Sequence, residues 1–327
     1  MSRNTPSNDG RSPSEKKHVL LFCDPGIDDA VAIYYAHYHP DIELVGIVAE
    51  YGNTTTENAY RNTLYLQEVL GMHIPVYRGA KGPMTGREAK PHHDIHGPYG
   101  LGTINTKENV DVEVPENFFD IIDLIRAYSG RLTIVTTGRL TSLATLCLYY
   151  HDLMCEKVKE IVCMAGAFFV PGNVTPLAEA NVFEDPVAAK LVIDHAPMLT
   201  IIPLNVTDQL LVPMSMIREL EEEYGYEFLT ALIQYYYDFY EAATIDQLLG
   251  TPLHDVVAFS ALMNPEFFTF VTYRVYVEAQ GTETAGVTFP DVRVLEDLPE
   301  APTHLVAIQA NEAAFLADFK RVMEGKR

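Results

Sequence analysis

Short apolar runs alternate with longer segments of helical apolar spacing along the first two-thirds of the chain. The short runs predict strands and the segments with apolar residues three and four positions apart predict helices. The predicted strands are His18–Cys23, Glu43–Glu50, one near Val76, Leu132–Thr136, Glu160–Met164 and Leu199–Pro203. The predicted helices are Ala30–Tyr38, Thr55–Leu70 (opened by a capping box of Thr54 and Glu57), Asn117–Tyr128, Leu140–Tyr150 and Pro186–His195. This alternation predicts an α/β fold with an open, mostly parallel, Rossmann-like sheet and helices on both faces.

The pattern changes in the remaining segments. Residues 79–106 form a loop rich in Gly, Pro and His, residues 214–249 have helical spacing, and another helix starts at Asp255. Residues 271–308 predict short strands in a small C-terminal antiparallel extension, closed by a helix over Asn311–Glu324. Without an internal repeat or a clear linker, residues 18–327 are interpreted as one domain. Residues 1–17 lack an apolar stretch and are interpreted as a disordered tail rather than a signal peptide.

Composition limits the partners that this chain can have. With 327 residues, 48% of them hydrophobic, it can bury a large core. A formal net charge of −22 argues against nucleic acid or an anionic membrane as partners, because both favour clustered Lys and Arg. The sequence has no run of about 18 apolar residues, so no membrane span is predicted. The cysteines form no C-x-x-C pair, which favours buried free thiols in a reducing cytosol.

Three carboxylates stand directly after the first predicted strand, in the segment Asp24-Pro-Gly-Ile-Asp28-Asp29-Ala. Like charges this close repel one another and raise their pKa values unless a positive group holds them together. The N-terminus of the following helix supplies part of that charge, and a divalent cation would supply the rest. Oxygen ligands favour calcium or magnesium over zinc. The alternative, in which Asp28 is only an N-cap and the other two are solvated, fits one Asp better than three.

Polar residues follow other predicted strands as well. Gly52-Asn53 follows the second strand, Thr137-Gly138 follows the fourth, and Ala165-Gly166 follows the fifth. In open α/β sheets, ligands bind outside the carboxyl ends of the strands. These groups are therefore predicted to line one pocket together with Asp24.

Two later segments complete a recognisable pattern: Gly172-Asn173-Val-Thr-Pro-Leu-Ala-Glu179-Ala-Asn181 and Leu253-His254-Asp255-Val256. Together with the aspartate segment, Gly52-Asn53 and Thr137-Gly-Arg-Leu-Thr, they resemble the nucleoside hydrolase family, inosine–uridine-preferring type. The resemblance runs from about His18 to the C-terminus. It implies hydrolysis of the N-glycosidic bond of small-molecule ribonucleosides to free base and ribose. It also implies a cytoplasmic enzyme of nucleoside salvage that forms a homodimer or homotetramer.

The resemblance also implies roles for individual residues. A calcium ion would be held by Asp24, Asp29, Asp255 and the backbone carbonyl of Thr137. The water would be activated by that ion and by Asp24 as general base, while His254 would protonate the leaving base. Residues implied to contact substrate are Asp28 (2′-hydroxyl), Asn53 (the water and the 2′ side), Asn181 (3′-hydroxyl), Asn173 and Glu179 (5′-hydroxyl), Met164, His96 in a mobile flap, and Tyr236 and Tyr240 on a helix that caps the base.

The residue types suit this chemistry independently of the resemblance. Cleavage of an N-glycosidic bond passes through a ribosyl cation, which nearby carboxylates stabilise as they do in glycosidases. Other readings remain for single residues: His254 as a core histidine, the Tyr stripe as core packing, and His92, His93 and His96 as a zinc site that lacks a clear fourth ligand. Asp208 is interpreted as a turn residue.

Two departures from the family pattern motivate rival functions. Phe22 stands where an aspartate is common, and Ala180 stands where an aromatic residue often packs beside the sugar. Ala180 motivates the first rival, hydrolysis of a modified ribosyl substrate on the same scaffold. Phe22 motivates the second, a non-catalytic nucleoside-binding relative.

Overall fold

The computed structural model describes residues 16–110, 112–243, 248–293 and 301–325. The strands in these ranges are β1 Lys17–Cys23, β2 Ile42–Ala49, β3 Val76–Arg78, β4 Leu132–Thr136, β5 Val158–Met164, β6 Leu199–Ile202, β7 Leu211–Val212, β8 Thr251–Pro252, β9 Phe268–Tyr273, β10 Val275–Val277, β11 Thr288–Pro290 and β12 His304–Ala310. The predicted tail lies almost entirely outside the described residues, and Lys17 already belongs to β1.

Helices connect these strands and cover the sheet. The α-helices are α1 Ile27–Tyr38, α2 Thr56–Leu70, α3 His93–His96, α4 Thr106–Asn109, α5 Ile121–Ala127, α6 Thr141–Tyr149, α7 His151–Lys157, α8 Ala180–Phe183, α9 Pro186–His195, α10 Leu204–Thr207, α11 Met214–Tyr224, α12 Glu227–Ala243, α13 His254–Met263 and α14 Glu312–Glu324. Within the described ranges, no helix has both the length and the apolar character that a membrane crossing requires.

The main sheet has eight strands in the order β3-β2-β1-β4-β5-β6-β12-β9. All neighbouring pairs from β3 to β12 are parallel, and only β9 runs antiparallel to its neighbour β12. The predicted fold class, open and mostly parallel with helices, is therefore confirmed. The chain order reverses between β1 and β4, so the crevice outside their carboxyl ends is the expected ligand site of such a sheet.

Strand β1 shows how the core is divided into two layers. Val19 and Leu21 point into one apolar cluster, with helices α1, α13 and α14, whereas Leu20 and Phe22 point into another, with α5, α6 and α9. Successive side chains of a strand face opposite sides of the sheet, so a strand covered on both faces must be apolar throughout. The polar residues that follow β1 lie where the helices no longer cover both faces of the sheet.

The C-terminal region differs from the sequence-based prediction. Strand β12 pairs in parallel with β6, and β9 pairs with β12, so both strands extend the main sheet. Strands β10 and β11 form a separate antiparallel pair, as do β7 and β8 earlier in the chain. The predicted antiparallel pairing is present between β9 and β12 and between β10 and β11. The sequence did not indicate that β12 also pairs in parallel with β6, because hydropathy along one strand carries no information about its neighbour's direction.

Several element boundaries also differ from the prediction. The N-cap of α2 is Thr55, whose hydroxyl accepts from the Asn58 backbone amide, so the proposed capping box at Thr54 is wrong. The predicted helix over 214–249 is two helices, separated where Gly225 adopts a φ of 67°. A φ in this range ends a helix at little cost only for glycine. The predicted loop over 79–106 contains the short helix α3.

Candidate active site

A cavity of about 530 Å³ opens at the carboxyl ends of the central strands. The sequence-predicted site residues that line it are Asp28, Asn53, His96, Thr137, Met164, Asn173, Glu179, Asn181, Tyr236, Tyr240, His254 and Asp255. Asp24 and Asp29 are fully buried beside it. The structure therefore brings together residues that are as much as 231 positions apart, from Asp24 to Asp255.

Three buried carboxylates meet at one side of this cavity. Asp28, Asp29 and Asp255 each offer an oxygen, and these atoms lie within 4.8 Å of one another. Asp28 and Asp29 belong to the first turn of α1 and Asp255 to the first turn of α13, so two helix N-termini favour the negative charge. Burial and the neighbouring Asp29 raise the pKa of Asp28 to about 7. This donor set fits a hard divalent cation.

Asp29 is held rigidly within that group. Its Oδ2 accepts from the backbone amide of Gly26 and from Asn53 Nδ2, both at 3.0 Å, and its Oδ1 accepts from the Thr137 hydroxyl at 2.9 Å. Gly26 is required here because a Cβ would lie 2.6 Å from both Asn53 Nδ2 and His96 Nδ1. The N-cap of α1 is Gly26, so the reading of Asp28 as a mere N-cap is wrong.

Asp24 is bound differently from the other three aspartates and is not part of the group of three. Its Oδ2 accepts from the Asn53 backbone amide and, at 2.8 Å, from Arg139 Nη1. Its Oδ1 is buried and has no hydrogen-bond partner among the described residues. Burial raises the pKa of Asp24 despite the guanidinium beside it. One oxygen therefore remains available, and its role stays a prediction.

The sugar-side residues predicted on the loop after β5 are fixed by backbone groups. The Glu179 carboxylate is the N-cap of α8 and accepts from the amides of Asn181 and Val182. It also accepts from the Gly166 amide at 2.9 Å. Asn173 Oδ1 accepts from the Ala180 amide at 3.0 Å. These contacts hold both residues at the cavity wall.

Asn181 joins that loop to the end of β4. Its Nδ2 donates to the carbonyl oxygens of Thr137, at 2.7 Å, and Met164, at 3.0 Å. The Thr137 carbonyl, predicted as a metal ligand, therefore has an amide donor as its partner here. Asn181 Oδ1 accepts from Arg139 Nη1 at 3.0 Å.

Sequence reasoning gave Arg139 no role, although it lies in the quoted segment that begins at Thr137. The residue lines the cavity and is only 2% exposed. An available signal was that an arginine two residues after a strand-end threonine, at a predicted acidic site, is well placed to pair with a carboxylate.

The flap residue His96 lies over the start of α1. Its Nδ1 accepts from the Ile27 amide at 3.1 Å and lies 3.9 Å from Asp28 Oδ1. Burial holds the pKa of His96 well below its usual value, so the ring is neutral. Within the described residues the three-histidine zinc alternative has no support, since the group of side chains close enough to share a metal ion contains only aspartates.

Aromatic residues and His254 also line the cavity. The Tyr236 hydroxyl donates to Asp28 Oδ2 at 3.4 Å and lies 3.3 Å from the Tyr240 hydroxyl. His254 Nδ1 lies 2.8 Å from the Thr207 hydroxyl, and burial lowers its pKa to about 4. Asp208, interpreted from the sequence as a turn residue, has its Oδ1 4.0 Å from His254 Nδ1.

The two departures noted in the sequence lie in different surroundings. Phe22 is fully buried in one apolar layer of the sheet. A carboxylate is nevertheless present near the end of the neighbouring strand, where Glu50 Oε2 accepts from the Ser142 amide at 3.1 Å. Burial raises the pKa of Glu50 to about 8. Ala180 lines the cavity with a small side chain.

Comparison with known proteins gives a consistent result. The sequence model of the inosine–uridine preferring nucleoside hydrolases matches residues 19–317. A probable uridine nucleosidase 1 of Oryza sativa subsp. japonica is 36% identical over 277 residues, 84% of each chain. An inosine–uridine preferring nucleoside hydrolase of Crithidia fasciculata is 32% identical over 285 residues, covering 85% of this chain and 88% of that one.

Solved structures agree with the sequence comparisons. A purine-preferring ribonucleoside hydrolase from Gardnerella vaginalis superimposes with a TM-score of 0.86 at 30% identity, over 95% of this chain and 99% of that one. The names of these relatives specify uridine, inosine with uridine, and purines, so they agree on ribonucleoside cleavage and differ in the base.

Proposed function

Since the chain belongs to the inosine–uridine preferring nucleoside hydrolase family, we propose that its cavity hydrolyses ribonucleosides with a bound calcium ion and Asp24 as general base. The observation that carries this proposal is the group of three buried carboxylates beside Asp24, at the switch point of the sheet. A nucleoside binder without turnover would not need an acidic group of this density. Nicotinamide ribosides and other modified ribosyl compounds are a second substrate class, favoured by the space at Ala180.

Asp29, Asp255, Asp24 Oδ1 and the Thr137 carbonyl would hold the ion, with Asp28 in reach. When bound, calcium supplies positive charge that orients the ribose hydroxyls and makes the attacking water more acidic. The structural support is that Asp24 Oδ1 and Asp28 Oδ1 are buried without hydrogen-bond partners among the described residues. Buried carboxylate oxygens without a donor are costly, and a cation would remove that cost.

The protein's own groups divide the remaining work. Asp24 accepts the proton of the water. Its other carboxylate oxygen, Oδ2, is held in place by hydrogen bonds from Arg139 and the Asn53 amide. Asp28, Asn181 and the pair Asn173 and Glu179 would bind the 2′-, 3′- and 5′-hydroxyls of ribose. Hydrogen bonds to all three hydroxyls select against deoxyribose, since buried partners left unpaired are costly. The buried carboxylates stabilise the ribosyl cation as it forms.

Departure of the base is assigned to the part of the cavity that His254 and the aromatic residues line. With a pKa of about 4, His254 is neutral at neutral pH. To act as a general acid the ring must first take up a second proton. Nδ1 would then donate to the Thr207 hydroxyl, Nε2 would give its proton to the leaving base, and the ring would return to the neutral form. Tyr236, Tyr240 and His96 would enclose the base. Assembly as a homo-oligomer, a cytoplasmic location and a role in nucleoside salvage belong to the same proposal.

Release of base from inosine and uridine, measured for wild type and Asp24→Ala, tests this function. A general base contributes roughly 10² to 10⁴ in rate, so kcat should fall by that factor while the folded state persists. Equal turnover by both proteins would refute the role of Asp24. Calcium binding, measured by calorimetry on chelator-treated protein, tests the identity of the ion, with magnesium as the comparison.

A further inference from the structure

The side chain of Arg139 makes an unusual set of contacts at the floor of the cavity. Nη1 donates to Asp24 Oδ2 at 2.8 Å, to Asn181 Oδ1 at 3.0 Å and to Asn53 Oδ1 at 3.4 Å. These acceptors follow β1, β2 and β5, so one nitrogen connects three separate parts of the chain. A buried guanidinium is costly to desolvate and persists where carboxylate and amide oxygens compensate it.

The rest of the guanidinium makes no further hydrogen bond. Nε and Nη2 are buried without a partner among the described residues. Every hydrogen bond made by this side chain in that part of the protein therefore goes to a residue of the candidate site. A purely structural arginine would be expected to use its other donors on carbonyl groups of the surrounding backbone.

These contacts determine which end of the Asn181 amide faces the sugar. Asn181 Nδ2 is occupied by the carbonyls of Thr137 and Met164, and Oδ1 accepts from Arg139. The reversed amide would place an NH2 group against the guanidinium and an oxygen against two carbonyls, which is repulsive on both sides. An amide oxygen has two lone pairs, so Oδ1 can accept from Arg139 and from a ribose hydroxyl simultaneously.

We propose that Arg139 is a positioning residue for ribose recognition, which presents Asn181 Oδ1 to the 3′-hydroxyl while it holds the general base Asp24. This inference rests on the proposed function, in which Asn181 binds that hydroxyl. Space for the arrangement is provided by Gly52, because a Cβ there would lie 2.8 Å from Arg139 Cζ. Arg139 itself need not touch the substrate.

The test compares uridine with 3′-deoxyuridine as substrates for wild type, Arg139→Met and Arg139→Lys. The wild-type ratio of kcat/KM for the two substrates measures the contribution of the 3′-hydroxyl. In Arg139→Met the ratio should fall about tenfold, the equivalent of one hydrogen bond of about 1.4 kcal/mol. Arg139→Lys keeps the charge and one donor and should recover part of the ratio. The ratio for uridine and 5′-deoxyuridine should change much less, because among the described residues Arg139 makes no hydrogen bond to Asn173 or Glu179 and interacts with Glu179 only through its charge.

Controls separate this inference from a general loss of activity. Arg126→Met removes an exposed arginine on α5, which pairs with Asp123, and should leave every ratio unchanged. A uridine to 3′-deoxyuridine ratio within about twofold of wild type in Arg139→Met, with both rates lowered equally, would overturn the inference. That result leaves the proposed function intact as long as Asp24→Ala is still inactive.

A measurement on the wild-type protein keeps the inference testable if the Arg139 variants fail to fold. Pseudouridine carries a carbon–carbon glycosidic bond and remains intact in a crystal. We expect its O3′ within about 3.2 Å of Asn181 Oδ1 while that same oxygen still accepts from Arg139. Contact of O3′ with Asn181 Nδ2, or an Arg139 side chain turned away from Asn181, would contradict the inference.

Discussion

The floor of the cavity and the part proposed to face the base, called the base end below, are built in different ways. The floor consists of Asp24, Asp28, Asp29, Asn53, Thr137, Arg139, Asn181 and Asp255, and it lies where parallel strands and helix N-termini meet. The base end consists of His96, Tyr236, Tyr240 and His254, which lie on the helices α3, α12 and α13. Floor residues are joined to one another by a network of hydrogen bonds. The base end combines hydrogen bonds with ring packing, such as the 5.3 Å between the His96 and Tyr236 rings.

This difference indicates where the protein can change its specificity. A shift at the floor would disturb a network that reaches the central sheet, so sugar recognition is expected to be rigid. Substitutions at the base end alter helix surfaces without disturbing strand pairing. Relatives named for uridine, for inosine with uridine and for purines fit such a division between a common sugar site and a variable base site.

The largest effect should follow from removing one carboxylate of the floor, in Asp255→Asn. Changes to outer-shell groups alone weaken metal sites by about 10- to 100-fold, so loss of a direct ligand should weaken calcium binding by more than about 100-fold. Calorimetry on chelator-treated protein measures this change. Asp194→Asn, at an exposed site on α9, is the matched control and should bind calcium as wild type does. Equal affinity in both variants would refute the metal assignment.

A rigid floor should not tolerate one added methyl group at Gly52. In Gly52→Ala the Cβ would lie 2.0 Å from Asp24 Oδ2, so the carboxylate must move. Misplacement of a reacting group by about 1 Å can cost about 100-fold in rate, and we expect a loss of that size in kcat. The control is Gly82→Ala, where the nearest atom would be 3.9 Å away. Wild-type kinetics in Gly52→Ala would show that the floor adapts.

His254 tests the base end separately from the floor. His254→Ala should lower kcat for inosine and uridine by about 10²-fold, the lower part of the range for a general acid. A nitrophenyl riboside releases a stable anion that needs no proton, so its hydrolysis should be largely spared. Calcium affinity should not change by more than about twofold. An equal loss of kcat on all three substrates would mean that His254 acts on the sugar and metal site rather than on protonation of the base.

The smallest effect is expected where the two regions touch. Tyr236→Phe removes the 3.4 Å hydrogen bond from the tyrosine hydroxyl to Asp28 Oδ2 but keeps the ring. A bond of this length contributes about 0.5 kcal/mol, which corresponds to about a twofold change in kcat/KM. Steady-state kinetics with uridine measures it, and a loss above about tenfold would mean that Tyr236 acts on the sugar site directly.

Prediction from the sequence succeeded where a local pattern has a local cause. The apolar run before Asp24 and the helical spacing after it correctly placed β1 and α1, because a strand covered on both faces leaves a short continuous apolar run, whereas a helix repeats its apolar positions every three to four residues. It failed for the capping residue of α2, and it did not foresee that β12 joins the main sheet beside β6. Thr54 and Thr55 are chemically alike, and only the backbone conformation selects between them.

The sequence by itself determined the alternation of strands and helices, the polar residues at the strand ends and, through its motifs, the family. The tertiary structure alone decided which carboxylates converge, and it separated Asp24 from the group of Asp28, Asp29 and Asp255. It also placed the guanidinium of Arg139 between Asp24 and Asn181. The physical reason is that local spacing sets burial and periodicity, whereas distances between side chains far apart in the chain are set by sheet order and by packing.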